Sequence, residues 1–148
     1  MRAADSLTCC RHTAACPPLV AYLDAGDPAH AEVAARLDAF SGRLATTSAV
    51  VAEAMHLVAR DTRGPRLLAD WMSASGAEIY DFSRPPELLQ AVELMEKYAN
   101  LPMDFADATL LLLAEGLRAH DLVTLDRRGF GAFRTRQGRP LRLVLVQR

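Results

Sequence analysis

The sequence predicts an α/β fold in which helices cover both faces of a short, mostly parallel central sheet. Three observations lead there. Short apolar runs of β type alternate with longer segments of helical periodicity, Gly, Pro, Asp and Ser punctuate the junctions, and no linker, low-complexity tract or internal repeat breaks the alternation. Strands separated by helices imply right-handed βαβ crossovers and a sheet buried on both sides. At 148 residues, 51% hydrophobic and 24% charged, the chain has the size and mixture of one globular domain.

The elements follow in order. Residues 19–23 read as a short helix closed by Asp24-Ala25-Gly26-Asp27-Pro28, and 29–40 as an amphipathic helix stopped at Ser41-Gly42. A strand over 43–46 leads to Thr47 or Ser48, either of which caps a helix through 60 with Val50, Val51, Ala54, Leu57 and Val58 as its apolar stripe. Gly64-Pro65 opens a helix through 75, and 77–80 is the next strand. A helix over 86–98 carries Leu88, Leu89, Val92 and Met95 on one face. After Leu101-Pro102, Asp104 caps a helix through 119, 122–125 forms a strand ending on Asp126, and the alternating run 141–146 forms the last strand.

The net charge of −1 hides an asymmetry: residues 1–117 carry 16 acidic and 9 basic side chains, whereas 118–148 carry 8 Arg and 2 Asp. Such an Arg-rich end suits a nucleic-acid backbone lying beside an acidic site, and equally suits a solvated basic face. The longest strongly apolar stretch, 108–114, is far short of the roughly 18 residues a membrane span needs, and residues 1–6 lack a signal-peptide core. A cytoplasmic protein is expected. Cys9, Cys10 and Cys16 are odd in number and include no C-x-x-C pair, and with His12 they fit no common zinc spacing.

The chemistry lies in acids. The helix that starts at Asp104 is apolar around most of its circumference, through Ala108, Leu110, Leu111, Leu112, Leu113 and Ala114, yet its first turn holds Asp107. A carboxylate entering a dry core costs several kcal/mol unless it is paired, hydrogen-bonded or metal-bound. Asp104 and Asp107, three apart, share one face and can present oxygens to a metal, and the same spacing also makes an acidic capping box. Asp126 ends an apolar strand at the sheet edge where ligands collect, or else serves as a turn or cap before Arg127-Arg128-Gly129. Glu53 flanks an apolar stripe and by itself reads as a solvated helix glutamate. As a set, these carboxylates suit a hard divalent cation, which takes a few carboxylates plus waters and phosphates. His30, His56 and His120 lie in separate segments without metal-ligand spacing, and there is no Gly-rich phosphate loop.

Four stretches carry a family resemblance: Pro18-Leu19-Val20-Ala21-Tyr22-Leu23-Asp24-Ala25-Gly26-Asp27-Pro28-Ala29-His30, Thr46-Thr47-Ser48-Ala49-Val50-Val51-Ala52-Glu53, Leu101-Pro102-Met103-Asp104-Phe105-Ala106-Asp107-Ala108 and Thr124-Leu125-Asp126-Arg127-Arg128. In this order they resemble the successive motifs of PIN domains, especially VapC-like toxins. The resemblance implies a PIN-like three-layer fold over 18–148 behind an atypical segment 1–17. It also implies an endoribonuclease dependent on Mg²⁺ or Mn²⁺, usually the toxin of a toxin–antitoxin pair, often homodimeric and neutralised by a small antitoxin. By position, Glu53, Asp107 and Asp126 would be the catalytic, metal-holding acids, with Asp104 a further metal ligand beside them and Thr124 a supporting polar residue. Arg127, Arg128 and Arg134 would hold the RNA backbone.

The resemblance departs from the family at one point. The register of Pro18-Leu19-Val20 puts Ala15 where the family's first Asp stands, Cys16 where Thr or Ser stands, and Pro17 in place of Gly. Asp5-Ser6 has the right chemistry but lies ten residues early, so its use would require an inserted loop. Impaired cleavage is therefore expected, and the alternative is a catalytically inactive PIN-fold module that binds RNA or an antitoxin partner.

Overall fold

The computed structural model describes residues 11–14 and 16–145, with side chains from Pro18 onwards. Asp5, Cys9, Cys10 and Ala15 lie outside the described residues. The elements run β1 (Arg11–Ala14), α1 (Cys16–Leu23), α2 (His30–Asp38), β2 (Arg43–Thr47), α3 (Ser48–Val58), α4 (Gly64–Ser75), β3 (Glu78–Tyr80), α5 (Pro85–Lys97), α6 (Phe105–Leu117), β4 (Asp121–Val123), α7 (Arg127–Ala132) and β5 (Arg142–Leu143). The sheet order is β3-β2-β1-β4-β5 and every pairing is parallel. The alternating α/β architecture and parallel sheet are those the sequence predicts.

The chain winds outward from β1 through β2 to β3, then returns to the other side of β1 and continues through β4 to β5. Strand order therefore reverses between β1 and β4, where Ala14 pairs with Val123 at the carboxyl ends. In open parallel sheets the crevice outside such a reversal is where ligands bind. The helix α6 starts on this edge of the sheet, where Thr109 near its beginning meets Thr47 at the end of β2. Every residue from Ala108 to Ala114 is buried, as an all-round apolar helix requires, and α6 packs against β1, β2, α3 and α5.

Strand β5 covers only Arg142–Leu143 of the described part of the run 141–146, and β4 ends at Val123 where the sequence suggests 125. Three further features differ from the sequence reading. Strand β1 occupies the centre of the sheet although Arg11-His12-Thr13-Ala14 has no Val/Ile run. Its extended form follows from parallel pairing on both sides, which outweighs weak local preference. The short helix α7 follows Asp126 where the sequence suggests a turn or cap, and it forms despite Gly129 and Gly131 because Phe130 and Phe133 are buried in edge contact, 5.3 Å between ring centroids. On α5, Leu88, Leu89 and Val92 are 39%, 67% and 46% exposed, while Ala91 and Leu94 face the core. The helix has two apolar stripes, and the one containing the small Ala91 is the one packed against α6.

Candidate active site

The first turn of α6 is built by two carboxylates. Asp104 Oδ1 accepts a hydrogen bond from the Asp107 amide at 2.8 Å, and Asp107 Oδ2 accepts a longer one, 3.3 Å, from the Asp104 amide. This is the reciprocal capping box that the spacing allows, and it satisfies two amides that the helix itself leaves without partners. One oxygen on each acid is used in this way, which leaves the other for a ligand.

Asp126 is placed by the turn after β4. Its amide donates to Oγ1 of the buried Thr124 at 3.0 Å, and its Oδ1 accepts from the Gly129 amide at 2.9 Å, capping α7. A side chain at position 129 would run into Asp126 Oδ2, so the Asp126 carboxylate holds this position only beside a glycine. Thr124 thus acts on the shape of the site through Asp126.

These acids sense one another. Burial, then the charge of Asp104 and more weakly that of Asp126, push the Asp107 carboxyl up to about 7, against the lowering effect of its hydrogen bond from the Asp104 backbone. Asp104 and Asp126 are exposed and Asp107 is partly buried. Among the described residues none of the three forms an ion pair with Arg or Lys; the pairs present are Arg43–Glu78, Arg66–Asp70, Arg84–Glu87, Arg136–Glu115 and Arg142–Asp121. An acid raised by burial and like charge is the kind of group that catalytic and metal-binding positions use.

The remaining candidates sit around this cluster in different states. Glu53 is exposed on α3. No group of three His, Cys, Asp or Glu among the described residues is close enough to hold a metal ion. A pair of carboxylates nevertheless matches the way Mg²⁺ is commonly bound, with waters and substrate phosphates filling its other positions, so the oxygen donors of Asp107 and Asp126 fit that ion. Arg127 and Arg128 are exposed beside Asp126 at the start of α7. Arg134 donates through Nη1 to the carbonyls of Gly131 and Phe133, leaving Nε and Nη2 for other partners.

Two features at this edge escaped the sequence reading. Thr109, buried on α6, lies 2.8 Å from Thr47 Oγ1 at the end of β2, and also donates to the Ala106 carbonyl. It fastens the acidic turn to the sheet, and a Thr inside an otherwise aliphatic helix was the available signal. Asp81, just beyond β3, accepts from Ser48 Oγ at 2.7 Å and from Ser83 Oγ at 2.5 Å. Those hydroxyls hold its carboxyl below the usual range, a stabilised acid unlike Asp107.

Comparison with known proteins agrees with this architecture. The PIN domain family matches residues 18–134. Ribonuclease VapC26 of Mycobacterium tuberculosis (strain ATCC 25618 / H37Rv) is 36% identical over 117 residues, spanning 78% of this chain and 87% of the relative. The crystal structure of Mycobacterium tuberculosis VapC20, a Sarcin-Ricin loop cleaving toxin, superimposes with a TM-score of 0.70 at 18% identity, covering 82% of this chain and 94% of that one. Rickettsia felis VapBC2, bound to a DNA fragment from its promoter, superimposes with a TM-score of 0.62 at 18% identity over 90% of this chain and 98% of that one. The fold, the ordered motifs and these likenesses agree: the chain belongs to the PIN domain family, among its VapC-like members.

Proposed function

We propose that this chain is an endoribonuclease of the VapC toxin kind that depends on Mg²⁺ or Mn²⁺. Asp107 and Asp126 hold the metal, with Asp104 beside them and Glu53 as the outlying member of the set. The observation that supports this most is the raised Asp107 carboxyl, a partly buried acid beside two like charges with no ion-paired cation among the described residues. Bound there, a divalent ion supplies charge stabilisation and an activated water for in-line displacement at phosphorus. The protein's own part is positional. Thr124 and Gly129 set the Asp126 carboxylate, the capping box sets Asp104 and Asp107, and Arg127 and Arg128, with the free nitrogens of Arg134, hold the phosphate backbone.

Because Ala15 stands where the family's first acid is expected, the chain as it stands should cleave weakly or not at all. A cleavage assay on RNA with added Mg²⁺ or Mn²⁺, comparing the parent, Ala15→Asp, Asp107→Asn and the double variant, tests both parts. Ala15→Asp is expected to raise cleavage by on the order of tenfold or more, and Asp107→Asn to silence it, since such carboxylates act as a unit. Robust parent cleavage that is lost in Asp107→Asn would show that another residue replaces the missing acid. No cleavage by Ala15→Asp would favour the inactive module that binds RNA or an antitoxin.

The partners follow from two surfaces. A groove of about 500 Å³ has an apolar floor that includes Val20, Leu23, Leu57, Val58, Leu67 and Leu125 and a charged rim of Asp24, Asp27, Arg60 and Asp61, and an amphipathic segment of a small antitoxin is the partner such a lining suits. The exposed Leu88, Leu89 and Val92 face of α5 supports a homodimer. Among the described residues no helix is long and apolar enough to cross a membrane, and a cytoplasmic site of action is proposed with the RNA substrate.

A further inference from the structure

We propose that the end of α6 opposite the acids carries a second phosphate-binding site, at which an RNA strand engaged by the acidic edge is gripped again. The proposal rests on the nuclease reading only in naming RNA as the ligand. Between the last turn of α6 and the segment 134–140, which is closed by a bridge of Arg134 with Pro140, lies a cavity of about 400 Å³. Arg118, Arg139, His120, Thr135, Gln137 and Glu115 form its polar wall, and Ala114, Ala119, Pro140 and Leu141 supply an apolar side. By helix rise it lies about 20 Å along α6 from Asp104.

The charges in this cavity do not cancel. Glu115, its one acid, is neutralised by a two-point pair with Arg136, Nε to Oε1 at 3.0 Å and Nη2 to Oε1 at 2.7 Å. Arg118 and Arg139 have no ion-pair partner among the described residues. Arg118 caps α6 with φ 52° and is the one described non-glycine residue in left-handed backbone, a place that favours Gly or Asn. Thr135 is 4% exposed, and its Oγ1 accepts from the Arg139 amide at 3.1 Å, while its hydroxyl hydrogen meets no acceptor among the described residues. Two guanidinium groups, a buried donor hydroxyl, an amide side chain and an imidazole around one cavity match the oxygens of a backbone phosphate, to which arginine binds through two points at once.

The test is fluorescence anisotropy with labelled single-stranded polyuridylate in EDTA, so that cleavage and metal do not contribute. Arg118→Gln/Arg139→Gln is expected to weaken binding on the order of tenfold and to flatten the salt dependence of log K by about 1, as loss of phosphate contacts does. A charge-matched Arg36→Gln/Arg63→Gln variant, outside the cavity, should do neither. Arg118→Gly, which suits the backbone at that position, guards against a folding artefact and should by itself give part of the loss. Unchanged affinity and slope, or equal losses in both double variants, would overturn the site. So would an equal loss of binding to polyglutamate, which would indicate a surface for acidic protein. A parent that binds RNA through Arg118 and Arg139 but never cleaves, even as Ala15→Asp, would sink the nuclease reading and leave this site standing.

Discussion

The two ends of α6 contrast in how they treat charge. At the amino edge of the sheet the acids are neutralised: Asp121 is buried and meets Arg142 through Nε and Nη2, both at 2.6 Å, and Glu115 meets Arg136. At the carboxyl edge Asp104, Asp107 and Asp126 gather with no such pairing among the described residues, and Asp107 is driven up to about 7. The same residue type thus stabilises the fold at one end and opposes it at the other. A fold retains an unfavourable charge cluster at low cost only where a ligand relieves it, which is why the unpaired end is the one that reads as functional.

Removing the fork at the paired end should have the largest effect on stability. Arg142→Met leaves Asp121, 7% exposed at its side chain, without its two-point partner. Breaking a fully buried pair costs about 3–5 kcal/mol, but the Arg142 side chain is 73% exposed, so solvent screening lowers the expected loss to about 2 kcal/mol. Thermal unfolding should show a fall in Tm of about 5 °C. A change within error would mean that the Arg142 fork adds no more than solvation of the two charges does, and the contrast between the ends would collapse.

How much of this contrast could be read from the chain depends on the range of the signals involved. The Asp104 cap and the buried run Ala108–Ala114 were legible because each is decided within one helix, by spacing and polarity alone, and the same signals narrowed the α3 cap to Thr47 or Ser48, of which Thr47 is the one used. Strand β1 was not, since Arg11-His12-Thr13-Ala14 becomes a strand through partners 32 residues and more away, as in the Arg11–Arg43 pairing. The pairing of Arg136 and Arg142 with acids 21 residues earlier was equally hidden. It removes both arginines from the basic surface that the count of the last 31 residues suggests, leaving, among the described residues, Arg127, Arg128 and Arg134 on the one hand and Arg118 and Arg139 on the other. The acids were visible as types and positions, but their mutual repulsion emerged only once the turn after β4 came within reach of the first turn of α6.

The unpaired end makes a prediction of opposite sign. The folded protein binds the Asp107 proton more tightly than the unfolded chain does, with the carboxyl at about 7 against an ordinary 3.8. In chelator, the Asp107 contribution to stability is therefore largest below pH 4 and falls as pH rises to 7, beyond which it levels off. Asp107→Asn keeps an oxygen for the Asp104 amide but carries no charge. It should match the parent at pH 4 and exceed its Tm at pH 8, and Mg²⁺ should narrow the gap by stabilising the parent alone. Coincident curves at every pH would show that the cluster is already relieved within the protein.

The smallest effect belongs to Glu115, where the two ends meet in one experiment. Glu115→Gln weakens the pair with Arg136, whose guanidinium is 41% exposed on its side chain, while the Arg136 amide can still donate to the new side-chain oxygen. The stability cost should be at most about 1 kcal/mol, and it should shrink in high salt because the contact is partly screened. Its more telling consequence is electrostatic. The cavity beside Arg118 and Arg139 loses its one acid and gains an unneutralised guanidinium, so polyuridylate binding in EDTA should tighten, most strongly at low salt. Tightening would mean that Glu115 restrains a phosphate site. Weaker binding with an intact Tm would mean instead that the Glu115–Arg136 pair shapes the cavity more than it taxes its charge.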